Sequence, residues 1–408
     1  MVSITAFALF DYFRVFRVFR VFRGEFFFPG LESTVSPPDR VASLDQFRGY
    51  TVLGMFVVNF VGGLNAVPDL LKHHHTYCSY ADTIMPQFLL AVGFGFRLSF
   101  LRRLEKDGKW ATYRHAITRN LGLILLGIVV YHLTGNYKTW ADLSSQSLGD
   151  FLLKTCKRGP FETLTHIGVT SLWVLPVIAS AGWVQVMFAL ASGGLHVWLS
   201  HAGYYEWNLM DPRGIDGGPL GFLTWTIPLI TGSLAFDWMM RPKKEDEGPL
   251  SNLLMGGVIL MVAGYVLSCL NRWTSPNIWG FTGDWWQDQL ATAPFVAPPE
   301  MWKLNYWVMS QRAGSITYLL FAAGFGLVVL ALFRWLCDNR GWRWGYLDLL
   351  GRHALAGYII HSMVEEAVKP FVPKDSPGWY VVLAIGVYLG VVTLFLRHLD
   401  RNRLFLKL

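Results

Sequence analysis

Runs of about 20 apolar residues bounded by charges recur along this chain, and no other feature restricts its fold so strongly. Crossing a hydrocarbon core takes a helix of that length, because no water is present there to satisfy an exposed backbone N–H or C=O. Ten such stretches stand out, at 49–68, 83–100, 121–137, 163–181, 183–200, 219–236, 250–270, 314–333, 350–366 and 379–396. The ninth is weak, since Arg352 and His353 leave only Ala354 to Val364 uncharged, and it reads as a half-span or a helix buried inside a bundle. The second is short, and Arg97 within it is expected to snorkel toward the nearer interface. With 53% hydrophobic and only 15% charged residues in 408, the chain is too apolar for a soluble protein of its size. The expected fold is an all-α polytopic transmembrane bundle of about ten spans.

Basic residues orient that bundle, because cytoplasmic loops carry an excess of Lys and Arg. With the N-terminus inside, the inner segments hold 23 Lys and Arg and the outer segments 11. Both termini are therefore expected in the cytoplasm, with 102–119 as an inner loop. One outer loop dissents, carrying Lys138, Lys154, Lys157 and Arg158. The net charge of +7 is spread over these membrane-flanking segments rather than gathered on one domain, so nucleic acid is not an expected partner.

Two units are expected: a basic and aromatic segment, 1–40, and a single membrane domain, 41–408. The first holds a strict repeat, Phe13-Arg-Val-Phe-Arg-Val-Phe-Arg-Val-Phe-Arg23, which reads equally as a membrane-surface stripe or as a repeat expansion without stable structure. No cleavable signal peptide is evident. The four cysteines show no CxxC spacing, leaving at most one bridge between Cys78 and Cys156. The segment 271–312 carries Trp273, Trp279, Trp285, Trp286, Trp302 and Trp307, which suit an interfacial belt first and a sugar-stacking platform second.

Chemistry concentrates around the first span. Arg40-Val-Ala-Ser-Leu-Asp-Gln-Phe-Arg-Gly49 leads into an uncharged stretch holding Asn59, followed by Lys72-His73-His74-His75 and then Asp82. An acid and a guanidinium at one end of a span, an amide within it and imidazoles at the far end are expensive in lipid and indicate function. An imidazole can take a proton from an attacking hydroxyl or amine, or carry an acyl group. Asp82 is placed to orient such a ring. The bland alternatives are a solvated histidine loop, or a zinc or nickel site built from adjacent imidazoles. His132, His166, His196 and His361 lie within spans, as core groups, part of a transfer path or a proton relay. The loop Asp211-Pro-Arg-Gly-Ile-Asp216-Gly-Gly-Pro-Leu-Gly-Phe222 reads as a turn closing onto a helix start, and less strongly as a site for hydroxyls or a cation.

Ser43-Leu-Asp-Gln-Phe-Arg-Gly49, Val57-Val-Asn59, the His-bearing loop, Ala81-Asp82-Thr-Ile-Met-Pro86 and Gly93-Phe-Gly95 together resemble the opening of the heparan-α-glucosaminide N-acetyltransferase family and its bacterial relatives. Leu350-Gly-Arg-His-Ala-Leu-Ala-Gly-Tyr-Ile-Ile-His361 resembles a later segment of that family. His353 stands where relatives usually carry Asn, Met85 where they carry Phe, and Thr165-His166 where they carry Gln-Arg. The resemblance implies an integral-membrane acyltransferase. It would move acetyl from cytoplasmic acetyl-CoA, its cosubstrate, to a sugar or amino-sugar acceptor at the outer face, with no metal. It implies a catalytic role for a loop histidine with Asp82 and leaves open which of the three rings it is; His73 and His74 are the candidates, and His75 is expected to matter least. Asp45, Arg48 and Asn59 would line the cytoplasmic half of a CoA cavity, with His166 and His361 in the substrate cavity. The expected setting is the lipid bilayer of a bacterial cytoplasmic membrane, and a homodimer is compatible with the sequence. The alternative is a proton- or metal-coupled transporter of a small polar solute. No similarity between the halves of the chain supports it.

Overall fold

Helix α1 (Ala42–Val61) opens the described part of the chain. The computed structural model describes residues 41–131, 138–157, 159–240, 248–270, 294–295 and 305–406. The Arg-Val-Phe repeat, His132 and Trp273, Trp279, Trp285, Trp286 and Trp302 lie outside them. After α1 come α2 (Tyr80–Tyr131), the short α3 (Trp140–Ser144), α4 (Leu148–Lys157) and α5 (Thr163–Val174). Helix α6 (Gly182–Leu199) continues through a π-helical turn to Leu209. It is followed by α7 (Phe222–Met240), α8 (Pro249–Ser268), α9 (Ile316–Phe333), α10 (Gly345–Arg352), α11 (Ala354–Val368) and α12 (Gly378–Arg401).

The charged stretch 102–119, expected as a loop, is helical instead. Helix α2 runs 52 residues and is interrupted only at Gly108, whose φ of 76° a side chain would strain. Phe100 and Tyr113 would stand about 20 Å apart in a straight helix, yet their ring centroids are 5.2 Å apart. The two arms therefore fold back on each other as a hairpin with its bend at Gly108. The polar residues around that bend have ordinary helix propensity, and only the glycine breaks the ladder.

Six helices among the described residues are long and apolar enough to cross a membrane: Tyr80–Tyr131, Gly182–Leu209, Gly218–Met240, Pro249–Ser268, Ile316–Asn339 and Gly378–Arg401. The expected count of ten differs for identifiable reasons. The first stretch, α1, is 20 residues long but not apolar enough to be among the six, the second and third are the two arms of one bent helix counted once, and the fourth yields only the 12 residues of α5. The ninth splits into α10 and α11 at His353 (φ −108°, ψ 27°), in keeping with its reading as a half-span. His353 is buried, paired with Asp400 at 3.1 Å and stacked on Phe405.

Burial sorts the spans into two sets. The most apolar windows of Gly218–Met240, Tyr80–Tyr131 and Ile316–Asn339 are 78%, 67% and 61% buried, and those of Gly378–Arg401, Gly182–Leu209 and Pro249–Ser268 only 28%, 22% and 17%. The first set is the centre of the bundle, and the second offers its apolar sides to lipid. At the centre α2 and α7 touch backbone to backbone. A Cβ on Gly93 would stand 1.8 Å from the Leu229 carbonyl oxygen, and one on Gly232 would stand 1.9 Å from that of Leu90.

Arg97 does not snorkel. It is buried in this centre, its Nε and Nη2 donating to the two carboxylate oxygens of Asp237 at 2.8 and 2.7 Å, while Nη1 donates to the carbonyls of Ile178 and Ser180. A bidentate partner and two carbonyls satisfy the guanidinium inside the bundle, which removes the need to reach an interface. Cys78 is a buried free thiol, and the side chain of Cys156 lies outside the described residues.

Candidate active site

The loop from Gly62 to Ser79 is fixed at its far end by the start of α2. The Ser79 Oγ accepts from the Asp82 N–H at 3.3 Å, and Asp82 Oδ2 accepts from the Ser79 N–H at 2.9 Å. This reciprocal arrangement is a capping box. It commits one oxygen of Asp82 to the helix start, where the His74 N–H also reaches it at 3.3 Å. The other oxygen, Oδ1, meets His73 Nδ1 at 2.9 Å. From α9, the Tyr318 hydroxyl donates to the Asp82 carbonyl at 2.7 Å. The carboxylate is 1% exposed, so it is a rigid acceptor rather than a solvated charge.

A carboxylate on Nδ1 selects the tautomer with its proton there and leaves Nε2 as the basic nitrogen, the arrangement of a general base with its orienting acid. His73 keeps 38% of its side chain exposed, so a substrate can reach it. Its surroundings are dense enough that burial lowers its pKa, but the hydrogen bond and charge of Asp82, the charge of Asp216 and the neighbouring Gln311 outweigh this. The net result is a pKa above the ordinary imidazole value.

The three loop histidines are not equivalent. His74 turns its ring away from the acid, stacking on Tyr77 and pairing through Nε2 with the Asp69 carbonyl at 2.9 Å. His75, expected to matter least, is held from outside the loop, with Nε2 accepting from Arg312 Nη2 at 2.7 Å. Burial and the Arg312 charge lower its pKa to about 4, so it is neutral at physiological pH.

Asn59 and Arg48 were expected together in one half of a cavity, and the structure separates them. They lie 11 residues apart on α1, about 16 Å, with Asn59 in its last turn. Asn59 Nδ2 approaches His361 Nε2 at 3.3 Å, while His361 Nδ1 faces the Tyr358 carbonyl and the ring stacks on Phe56. Both contacts are satisfied when Nδ1 carries the proton and Asn59 donates to Nε2. His166 is fully buried between Phe161 and Trp225, and neither ring nitrogen makes a hydrogen bond of good geometry.

At the opposite end of α1, Arg48 and Asp45 form a 3.5 Å ion pair. A Cβ on Gly95 would stand 2.6 Å from Arg48 Nη2, so the guanidinium packs on the first arm of α2. The rest of that motif ties helices together. Ser43 Oγ donates to Asp338 at 2.7 Å, Gln46 Nε2 donates to Asp348 at 2.7 Å and to the Trp344 carbonyl, and Gly49 lies against the Leu347 backbone. Near the bend of α2, Phe96, Phe100, Arg103, Thr112, His115 and Arg119 line a small cleft of about 20 Å³. Two guanidiniums there can each present a planar fork of donors to an anion.

Sequence reasoning gave little weight to one group and none to two others. Asp216 was read mainly as part of a turn, yet its side chain is buried and accepts from Gln311 Nε2 at 2.9 Å. Gln311 and Arg312 lie in a segment with no motif of its own, and only the fold brings them to the histidine loop.

Residues 40–219 match the family model described as heparan-alpha-glucosaminide N-acetyltransferase, catalytic. The match supports an acyltransferase family of this type and contains the His73–Asp82 pair. No curated protein matches the chain.

Proposed function

We propose that this chain, whose residues 40–219 match the heparan-α-glucosaminide N-acetyltransferase catalytic family model, is a membrane enzyme that transfers acetyl from acetyl-CoA to a sugar or amino-sugar acceptor. The observation that carries this reading is the His73–Asp82 pair, 2.9 Å apart inside the matched region, with its second ring nitrogen left for chemistry. His73 Nε2 takes the proton of an acceptor hydroxyl or amine, directly or after carrying the acetyl itself. In the direct case the acceptor's bond to the acyl carbon forms, the carbon–sulfur bond breaks, and the proton passes to the departing thiolate. Asp82 holds the ring and stabilises its cation. His361 and His166 line the acceptor side, and Asn59 steadies His361 through its amide.

The donor reading rests on the other end of the bundle. Arg48, with Arg103 and Arg119 of the hairpin, suits the phosphates of the nucleotide, whose negative charge a planar guanidinium meets with two hydrogen bonds. The hairpin end faces the cytoplasm and the histidine loop the opposite side, as the 23-to-11 partition of basic residues implies. The setting is a bacterial cytoplasmic membrane, with both termini inside. No observation favours the carrier alternative.

The test is incubation of the detergent-purified protein with labelled acetyl-CoA, with and without a panel of sugars and amino sugars. Label should move to an acceptor in the wild type and not in His73→Ala. Solute uptake into vesicles without CoA release would reject the enzyme reading. Reporter fusions at Lys109 and Arg343 should read cytoplasmic, and one within 69–79 external. An external report at Lys109 would invert the orientation.

A further inference from the structure

Two segments distant in sequence converge beside His73 without belonging to its loop. The Asp216 turn and the 305–315 segment are fastened to each other and to α7 through the backbone. Gly217 N–H and Asn208 Nδ2 both donate to the Arg312 carbonyl, at 3.1 and 3.0 Å. Thr224 Oγ1 donates to the Gly314 carbonyl at 2.8 Å, and Trp225 Nε1 to the Asp216 carbonyl at 2.7 Å. These bonds hold Asp216 at a φ of 53°, in the left-handed region that a non-glycine residue occupies at a cost. The strained backbone turns the carboxyl inward, leaving the residue 4% exposed, and Oδ1 accepts from Gln311 Nε2 at 2.9 Å. Gln311, its amide nitrogen committed to Asp216, neighbours the His73 ring. Asp82 already occupies Nδ1 of that ring.

We propose that Asp216 and Gln311 are positioning residues for His73, a second arm beside the imidazole that stabilises its cation once the acceptor's proton has arrived. This rests on the reading of His73 as the base. Other ionisable groups also face the ring: Asp82 stabilises its cation, while His74, His75 and Arg312 surround the same loop. Arg312 is directed at His75, so its charge is partly spent there. Burial raises the Asp216 pKa to about 6, against the opposing pull of Gln311 and His73, so the group is mainly anionic at neutral pH and acts on the imidazolium as a charge.

The experiment reads the protonation of His73 directly, so it does not depend on acetyl transfer. The full-length protein in detergent is treated with diethyl pyrocarbonate across a pH series, and modification of His73 is followed by peptide mass spectrometry, since only the neutral ring reacts. Asp216→Asn removes an anion and should lower the midpoint by roughly half a pH unit or more, whereas Gln311→Glu adds one and should raise it. Gln311→Ala should lower it by less than Asp216→Asn. An arm that merely pins two loops together would leave all three midpoints at the wild-type value while reducing thermal stability, and that result overturns the proposal. Should Asp216→Asn fail to fold, the opposite shifts expected of the two Gln311 variants still decide it. If the midpoints move as expected but the wild type transfers no acetyl, the positioning role stands and the acetyltransferase reading fails.

Discussion

The two ends of the bundle handle charge in opposite ways. At the histidine end the carboxylate of Asp82 is 1% exposed and its oxygens are fully committed to a helix cap and one ring. At the hairpin end, guanidiniums line an open cleft between two arms of one helix. The first arrangement fixes a single tautomer in a single orientation, which proton transfer requires. The second offers several donors over a wider surface, which suits a multiply charged ligand and tolerates some variation in its placement. A loss at the first end should therefore be steep and specific, and a loss at the second should be graded and sensitive to salt.

Replacing His73 by Ala tests the steep side. Transfer should fall by ~10²–10⁴-fold, the usual worth of a general base, while acetyl-CoA binding persists. Near-normal transfer by the His73/His74 double Ala variant would remove the imidazole from the mechanism. Asp82→Asn should be intermediate.

A variant that belongs to neither end should damage both. Arg97→Ala leaves Asp237 without its bidentate partner and should cost about 3–5 kcal/mol of stability, read as early thermal unfolding in detergent. A double Ala variant at Arg97 and Asp237 should recover part of that loss, and equal instability of the two would show that the carbonyl contacts of Ile178 and Ser180 carry the effect.

On the graded side, Arg48→Ala and Arg119→Ala should each weaken acetyl-CoA roughly 10-fold, the worth of one charge-assisted hydrogen bond, and less so at high salt. Unchanged affinity across salt concentrations would sink the assignment of the cleft. Neither change should alter the pH profile. In the wild type, rate should rise with pH as His73 loses its proton, and the limb should lie above the ordinary imidazole range because Asp82, Asp216 and Gln311 favour the cation. A limb below that range would contradict the geometry. The smallest effect is expected at Lys72, whose pair with Asp69 at 3.1 Å is exposed. Lys72→Ala should keep transfer within about threefold, as surface pairs contribute little.

Sequence reasoning reached the helical membrane fold because apolar length is a direct consequence of bilayer thickness. It read the polar stretch between the two arms of α2 as a loop because a charge count cannot tell a polar helix from a polar loop. Gly108 was the available signal and lay unread among six basic residues. Arg97 was misjudged for a related reason, as its partner Asp237 lies 140 positions away. The histidine loop and Asp82 could be paired from sequence because His73 and Asp82 are only nine positions apart. The choice among the three rings could not, since it depends on which one the capping box presents to the acid. Asp216, Gln311 and Arg312 come from segments whose meeting is fixed by the packing of α7 and α9, and no local pattern announces it.

The seam between α2 and α7 has a mechanical consequence. Where Gly93 faces the Leu229 carbonyl and Gly232 faces that of Leu90, one main chain rests directly on another, without flexible side chains between them to absorb movement. Helices that slide past each other in shear use such side chains as a compliant layer. Here a displacement along the seam would drive carbonyl oxygens into neighbouring turns. The central pair behaves as a keel, a fixed frame that leaves motion to loops and peripheral helices.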